Sequence, residues 1–150
     1  MNSPSPKSPR IIALVNQKGG VAKSTSAQNI GAAFAEIGLK TLVIDLDPQG
    51  NTSKTFGYDD GYEGCTVYHC MKDELPLSEA VVDTKYKNLF VAPATIILAN
   101  AESEFQSVIG KEQLLKDCIT LMLENEEVKF DYILIDCPPS LGLLSVNGMT

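Results

Sequence analysis

The chain has 150 residues, 44% of them hydrophobic and 21% charged, which is enough for one domain with a buried core and too few to expect two. Twelve Lys and Arg stand against nineteen Asp and Glu, a net charge of −7. That balance argues against these residues alone being a strong polyanion binder, which needs clustered cations. With no Trp and only 7% aromatic residues, the composition also argues against an aromatic stacking platform for single-stranded nucleic acid.

The opening MNSPSPKSPR is rich in Pro and Ser and reads as a disordered tail over residues 1–10, followed by one domain over 11–150. The apolar run behind it, IIALV (11–15), is too short for the core of a secretory leader. It reads instead as a strand buried on both faces, because it is continuous, β-branched and bounded by a Gly-containing loop. From Ser24 the period changes: Ile30, Ala33, Phe34 and Ile37 form one stripe of a helix that Gly38 is placed to stop. TLVID (41–45) reads as a second buried strand. Thr66 and Ser78 are expected to cap two short helices, near 67–73 and 79–83. NLFVA (88–92) follows as a third strand. A single longer helix is expected over 103–125, with Leu115, Cys118, Ile119 and Met122 on one side, then a fourth strand, YILID (132–136), and the start of another helix at the end. Alternating strands and helices imply right-handed crossovers and a mainly parallel sheet covered on both faces. No segment has the apolar length of a membrane span, and the expected location is the cytoplasm.

Four cysteines, at 65, 70, 118 and 137, form no C-x-x-C pair. Cys65 and Cys70 flank His69, yet a zinc site needs four ligands at defined spacing, so the thiols read as incidental and reduced.

NQKGGVAKST (16–25) carries the chemistry. It departs from the ordinary phosphate-loop pattern at Gln17 and Ala22. Even so, Gly19 and Gly20 let the backbone turn its N–H groups inward, and Lys23 and Ser24 open a helix whose positive end favours phosphate. Lys23 would reach the β- and γ-phosphates, and the Ser24 hydroxyl would bind Mg²⁺. Asp45 and Asp47 in DLDPQGN, and Asp136 after YILI, stand at strand ends, where doubly wound folds place their ligands. Together these make one site for a nucleoside triphosphate.

KGGVAKS (18–24) resembles the deviant Walker A motif K-G-G-x-x-K-[ST] of the ParA/MinD group of P-loop ATPases, which also includes the nitrogenase iron protein. LVIDLDPQGN (42–51) is similar to the second motif of the ParA branch, and YILIDCPPSLG (132–142) to its Walker B strand and turn. The resemblance runs from about residue 11 to the end. It implies an α/β P-loop NTPase with ATP and Mg²⁺ as ligands. Lys18 would be the signature lysine, reaching a partner's phosphates across an ATP-dependent homodimer. Gly19, Gly20, Val21, Ala22, Lys23, Ser24 and Thr25 would wrap the phosphates, Asp47 would orient the attacking water, and Ser24 and Asp136 would hold the metal. Asp45 is expected as a supporting acid. The family implies a ParB-like stimulating partner, non-specific DNA bound through a C-terminal part beyond these residues, and no membrane helix.

Two departures set further expectations. Ala22, where a glycine is commoner, is expected at negative φ, because a Cβ disfavours the left-handed region. The family's seven-stranded order 3-2-4-1-5-6-7 would here be represented only by 3-2-4-1, as if truncated after the fourth core strand, leaving the phosphate-loop strand on an edge. The alternatives are a small-molecule synthetase or kinase of the same fold, and a nucleotide-binding module without turnover.

Overall fold

The computed structural model describes residues 8–20, 22–125 and 127–150. Most of the expected tail (residues 1–7) and Val21 lie outside these. Arg10, assigned to the tail, already belongs to the first strand. In chain order the elements are β1 (Arg10–Leu14), α1 (Lys23–Glu36), β2 (Thr41–Asp45), α2 (Asn51–Thr55), α3 (Val67–Asp73), β3 (Val82–Asp83), β4 (Leu89–Ala92), α4 (Ala101–Glu104), α5 (Leu114–Leu123), β5 (Tyr132–Asp136) and α6 (Leu143–Met149). Short 3-10 turns lie at Leu77–Ala80, Ile96–Asn100 and Lys111–Gln113.

The sheet order is β1-β5-β2-β4-β3. The four longer strands run parallel, in the expected 3-2-4-1 arrangement, and the two-residue β3 adds an antiparallel margin. Residues alternate between the faces of the central strands. Leu42, Ile44, Ile133 and Ile135 face the larger core with α3, α5 and α6, while Val43 and Leu134 face α1.

α1 corrects the stripe read from its sequence. Its sheet-facing residues are Ala27, Gly31 and Ala35, all buried, whereas Ile30 and Ile37 are 39% and 73% exposed. The reason is proximity: a Cβ on Gly31 would lie 2.9 Å from Val43 Cγ2, so only small residues fit against the sheet. Phe34 packs from the helix flank onto Tyr132, with ring centroids 4.3 Å apart.

β1 is likewise not buried on both faces. Ile11 and Ile12 are 49% and 39% exposed, because among the described residues only β5 pairs with it. The expected helix over 103–125 is broken. α4 stops at Glu104, and Gly110 at φ 77° turns the chain before α5 begins. The stripe of Leu115, Cys118, Ile119 and Met122 is buried as expected. Thr66 caps α3, with its N–H donated to His69 Nδ1 at 3.1 Å. Ser78 caps nothing: it lies inside a 3-10 turn, and residues 82–83 are strand rather than helix.

Candidate phosphate and metal site

Because β1, β2 and β5 are parallel and in register, their C-terminal ends deliver the phosphate loop, Asp45 and Asp136 to one end of the sheet, with Asp45 and Asp136 opposite each other as Cα partners. A cleft of about 480 Å³ opens there, lined by Lys18, Gly19, Gly20, Ala22, Lys23, Ser24, Thr25 and Asp47. Those sequence-expected residues are thus brought together. Asp136 joins them through Lys23, whose Nζ donates to Asp136 Oδ1 at 2.9 Å. Lys23 is 10% exposed and Asp136 fully buried, so the pair sits where a lone charge would be costly.

The loop differs from expectation at Ala22. This residue has φ 57° and ψ 28°, in the left-handed region, and forms the N-cap of α1. The Ala22 carbonyl accepts the Ser26 N–H at 2.8 Å as the first bond of the helix. The helix start therefore sets the backbone of residue 22, at a cost of roughly 1–2 kcal/mol for an L-residue. Space beside the loop is open: a Cβ on Gly19 or Gly20 would meet nothing within 4 Å.

The second motif forms a tight turn. Asp47 is 7% exposed. Its Oδ1 accepts the Gln49 N–H at 2.9 Å, and its own N–H is donated to Asp45 Oδ1 at 3.1 Å. Gly50, at φ 62°, lets the backbone pass the Ala94 carbonyl, which a Cβ there would approach to 2.9 Å. This close passage seats α2 against both strand-end acids. Asp45 Oδ2 accepts the Ser53 N–H at 2.8 Å and the Ser53 hydroxyl at 2.6 Å, and Asp136 Oδ2 accepts the Thr52 hydroxyl at 2.8 Å. Burial pushes the Asp45 carboxyl up to about 7, the Ser53 hydrogen bonds pull against this, and the neighbouring Asp136 charge adds to it.

Sequence reasoning missed Gln28, Gln49, Asn51, Thr52, Ser53, Thr55 and Pro139, all of which line the cleft or hold its acids. Gln28 was accessible from spacing, since it lies one helical turn after Ser24. Thr52 and Ser53 gave no such signal, because α2 is a single turn without an apolar period.

This donor set suits a polyphosphate with a divalent cation. Two lysines and open backbone face the cleft, and a hydroxyl and a buried carboxylate supply hard oxygen ligands. The Lys23 ammonium on Asp136 already shows that acid paired with a positive charge.

A family model described as an AAA domain (AAA_31) matches residues 9–150. The sporulation initiation inhibitor protein Soj of Bacillus subtilis is 43% identical over 141 residues, covering 94% of this chain and 54% of Soj. The chromosome partitioning protein ParA of Caulobacter vibrioides is 40% identical, covering 94% and 52%. The chain belongs to this AAA domain family, in its ParA/Soj branch. It spans about half the length of these ParA/Soj relatives. Among solved structures, a cobyrinic acid a,c-diamide synthase from Mycobacterium smegmatis with bound ATP analog and magnesium is 39% identical, with a TM-score of 0.85, covering 94% of this chain and 54% of the synthase. The ParA-type sheet, with its phosphate loop on β1 and its acids on β2 and β5, is thus present in this segment. Among the described residues, no helix is long and apolar enough to cross a membrane.

Proposed function

We propose that the chain binds ATP with Mg²⁺ in this cleft and hydrolyses it as part of a ParA-type partition ATPase. The observation that carries the reading is the convergence of Lys18, Lys23, Ser24 and Asp47 on one cleft, with Lys23 tied to the buried Asp136.

In this reading, Gly19 through Thr25 cradle the phosphates with backbone N–H groups, and Lys23 leaves Asp136 to meet the β- and γ-phosphates. Ser24 and Asp136 would hold the metal ion, which would neutralise phosphate charge when bound. Asp47 accepts a hydrogen bond from the attacking water and orients it in line with the γ-phosphate. Lys18 reaches the phosphates of a second protomer, coupling hydrolysis to an ATP-dependent homodimer as an arginine finger does elsewhere. Positioning and charge neutralisation supply most of the barrier reduction. A ParB-like partner would stimulate turnover. Non-specific DNA contact, and with it nucleoid association, would belong to basic residues outside this acidic segment.

Phosphate release by wild type, Lys18→Gln and Asp47→Ala tests the reading. Both variants should lose at least tenfold in turnover, and hydrolysis unchanged in both would end it. The likeness to the cobyrinic acid synthase favours a second reading, in which the γ-phosphate goes to a carboxylate acceptor. ADP formation that requires such an acceptor and ignores Lys18→Gln would select it.

A further inference from the structure

Asp136 is held from two sides. Lys23 Nζ donates to its Oδ1 at 2.9 Å, from the phosphate loop, and Thr52 Oγ1 donates to its Oδ2 at 2.8 Å, from α2. Thr52 is fully buried. Its hydroxyl also contacts Gln28 Nε2, at 3.2 Å. A carboxylate paired with lysine can only accept, so the single Thr52 proton points at Asp136 and Gln28 must supply the N–H of the second bond. The three groups form an ordered relay, Gln28 to Thr52 to Asp136, and its direction follows from the acid.

The next residue repeats the device. Ser53 gives Asp45 both its N–H and its hydroxyl, and its oxygen accepts the Ala94 N–H at 2.8 Å. One turn of helix thus grips both strand-end carboxylates, through residues five and six positions after Asp47. The Thr52 bond to Oδ2 biases the Asp136 carboxylate about its terminal torsion, which is otherwise broad. Only Oδ1 then faces the phosphate loop.

We propose that Thr52 is the positioning residue for the metal-holding acid: its hydroxyl occupies one oxygen of Asp136 so that the other is presented to Mg²⁺. The assignment rests on the nucleotide reading above. It makes α2 the element that holds the metal acid through Thr52 and Asp45 through Ser53.

The test is equilibrium binding of ATP to the full chain, in Mg²⁺ and in EDTA, for wild type, Ser24→Ala, Thr52→Val, Thr52→Ser and Thr52→Cys. Wild type is expected to gain at least tenfold in affinity from Mg²⁺, and Ser24→Ala to lose that gain. Thr52→Val should lose most of the gain while its EDTA affinity stays within twofold of wild type. Thr52→Ser should restore the gain, and Thr52→Cys, a weaker donor of similar size, should fall between. A Thr52→Val protein that keeps the Mg²⁺ gain, or loses affinity equally in both buffers, overturns the proposal. If Thr52→Val does not give a cooperative melt, the Ser and Cys variants decide: Cys at least threefold below Ser supports the role, and equal gains overturn it. A wild-type chain that binds no ATP in either buffer, or gains nothing from Mg²⁺, overturns the nucleotide reading, and the Thr52 role falls with it.

Discussion

Replacing Ser53 by alanine isolates the grip on Asp45. The substitution removes the 2.6 Å hydroxyl bond to the buried carboxyl and leaves the Ala94 N–H without its 2.8 Å acceptor. A hydrogen bond to a charged group contributes roughly 1.5–3 kcal/mol, and a buried unpaired donor costs roughly 1–3 kcal/mol. The expected loss at pH 8, where the carboxyl is mostly ionised, is therefore about 3–5 kcal/mol, a large part of the roughly 5–15 kcal/mol that holds a domain together. With about 2–4 °C per kcal/mol at this size, the melting temperature should fall by about 10 °C. The loss should also depend on pH. Burial raises the Asp45 carboxyl from its ordinary 3.8 to about 7, against the pull of Ser53. A carboxyl raised in the fold contributes stability that is full below about pH 4 and lost as pH rises through its folded value. Removing Ser53 raises it further, so Ser53→Ala should cost more at pH 8 than at pH 5. Urea denaturation at the two pH values measures both effects. A loss below about 1 kcal/mol, or a larger loss at pH 5, would refute the account of Asp45 as a buried acid held by α2.

Three further outcomes are expected. Ala22→Gly relieves the left-handed strain at φ 57°, roughly 1–2 kcal/mol, less roughly 0.5–1 kcal/mol of added chain entropy. The urea midpoint should rise by the equivalent of about 0.5–1 kcal/mol, and a fall would mean the Cβ makes a contact that matters. Ile11→Lys places a charge on the exposed β1 edge, which is a template for strand addition. Concentration-dependent light scattering should drop relative to wild type, and unchanged scattering would mean association runs through another surface. Burial pushes Cys118 up to about 12 and Cys137 up to about 11, while Cys65 is half-buried and less shielded. Iodoacetamide at pH 8 should therefore alkylate Cys65 first, because the thiolate is the reactive form; uniform labelling by mass spectrometry would show that the core opens readily.

The legibility of the chain in its sequence follows a physical divide. β2 and β5 were readable to the residue because a strand buried on both faces is an uninterrupted apolar run. The same run in β1 did not reveal that its outer side lies open, since sheet order is not written in a single strand. That Lys18, Gly19, Gly20, Lys23 and Ser24 would share one cleft with Asp47 was readable, because the loop and the acid both follow predicted strands whose ends meet in a parallel sheet. The inward face of α1 was not. Apolar periodicity assumes that large side chains point inward, whereas the sheet lies so close that Ala27, Gly31 and Ala35 take that face. The break at Gly110 was also missed, since apolar residues on both sides of it kept a helical period across the turn.

What the sequence determined by itself is the set of groups: a Gly- and Lys-rich loop, a hydroxyl and acids at strand ends, carried on an α/β alternation. Tertiary structure decided how those acids are held. Asp45 and Asp136 are ninety-one residues apart in the chain, and they become neighbours only because β2 and β5 pair in register. Thr52 and Ser53 belong to the site only because Gly50 lets α2 close over that pair. No local pattern encodes such a contact, because its partners are brought together by the sheet order. The same order leaves β1, the strand that carries the phosphate loop, with a single paired side among the described residues.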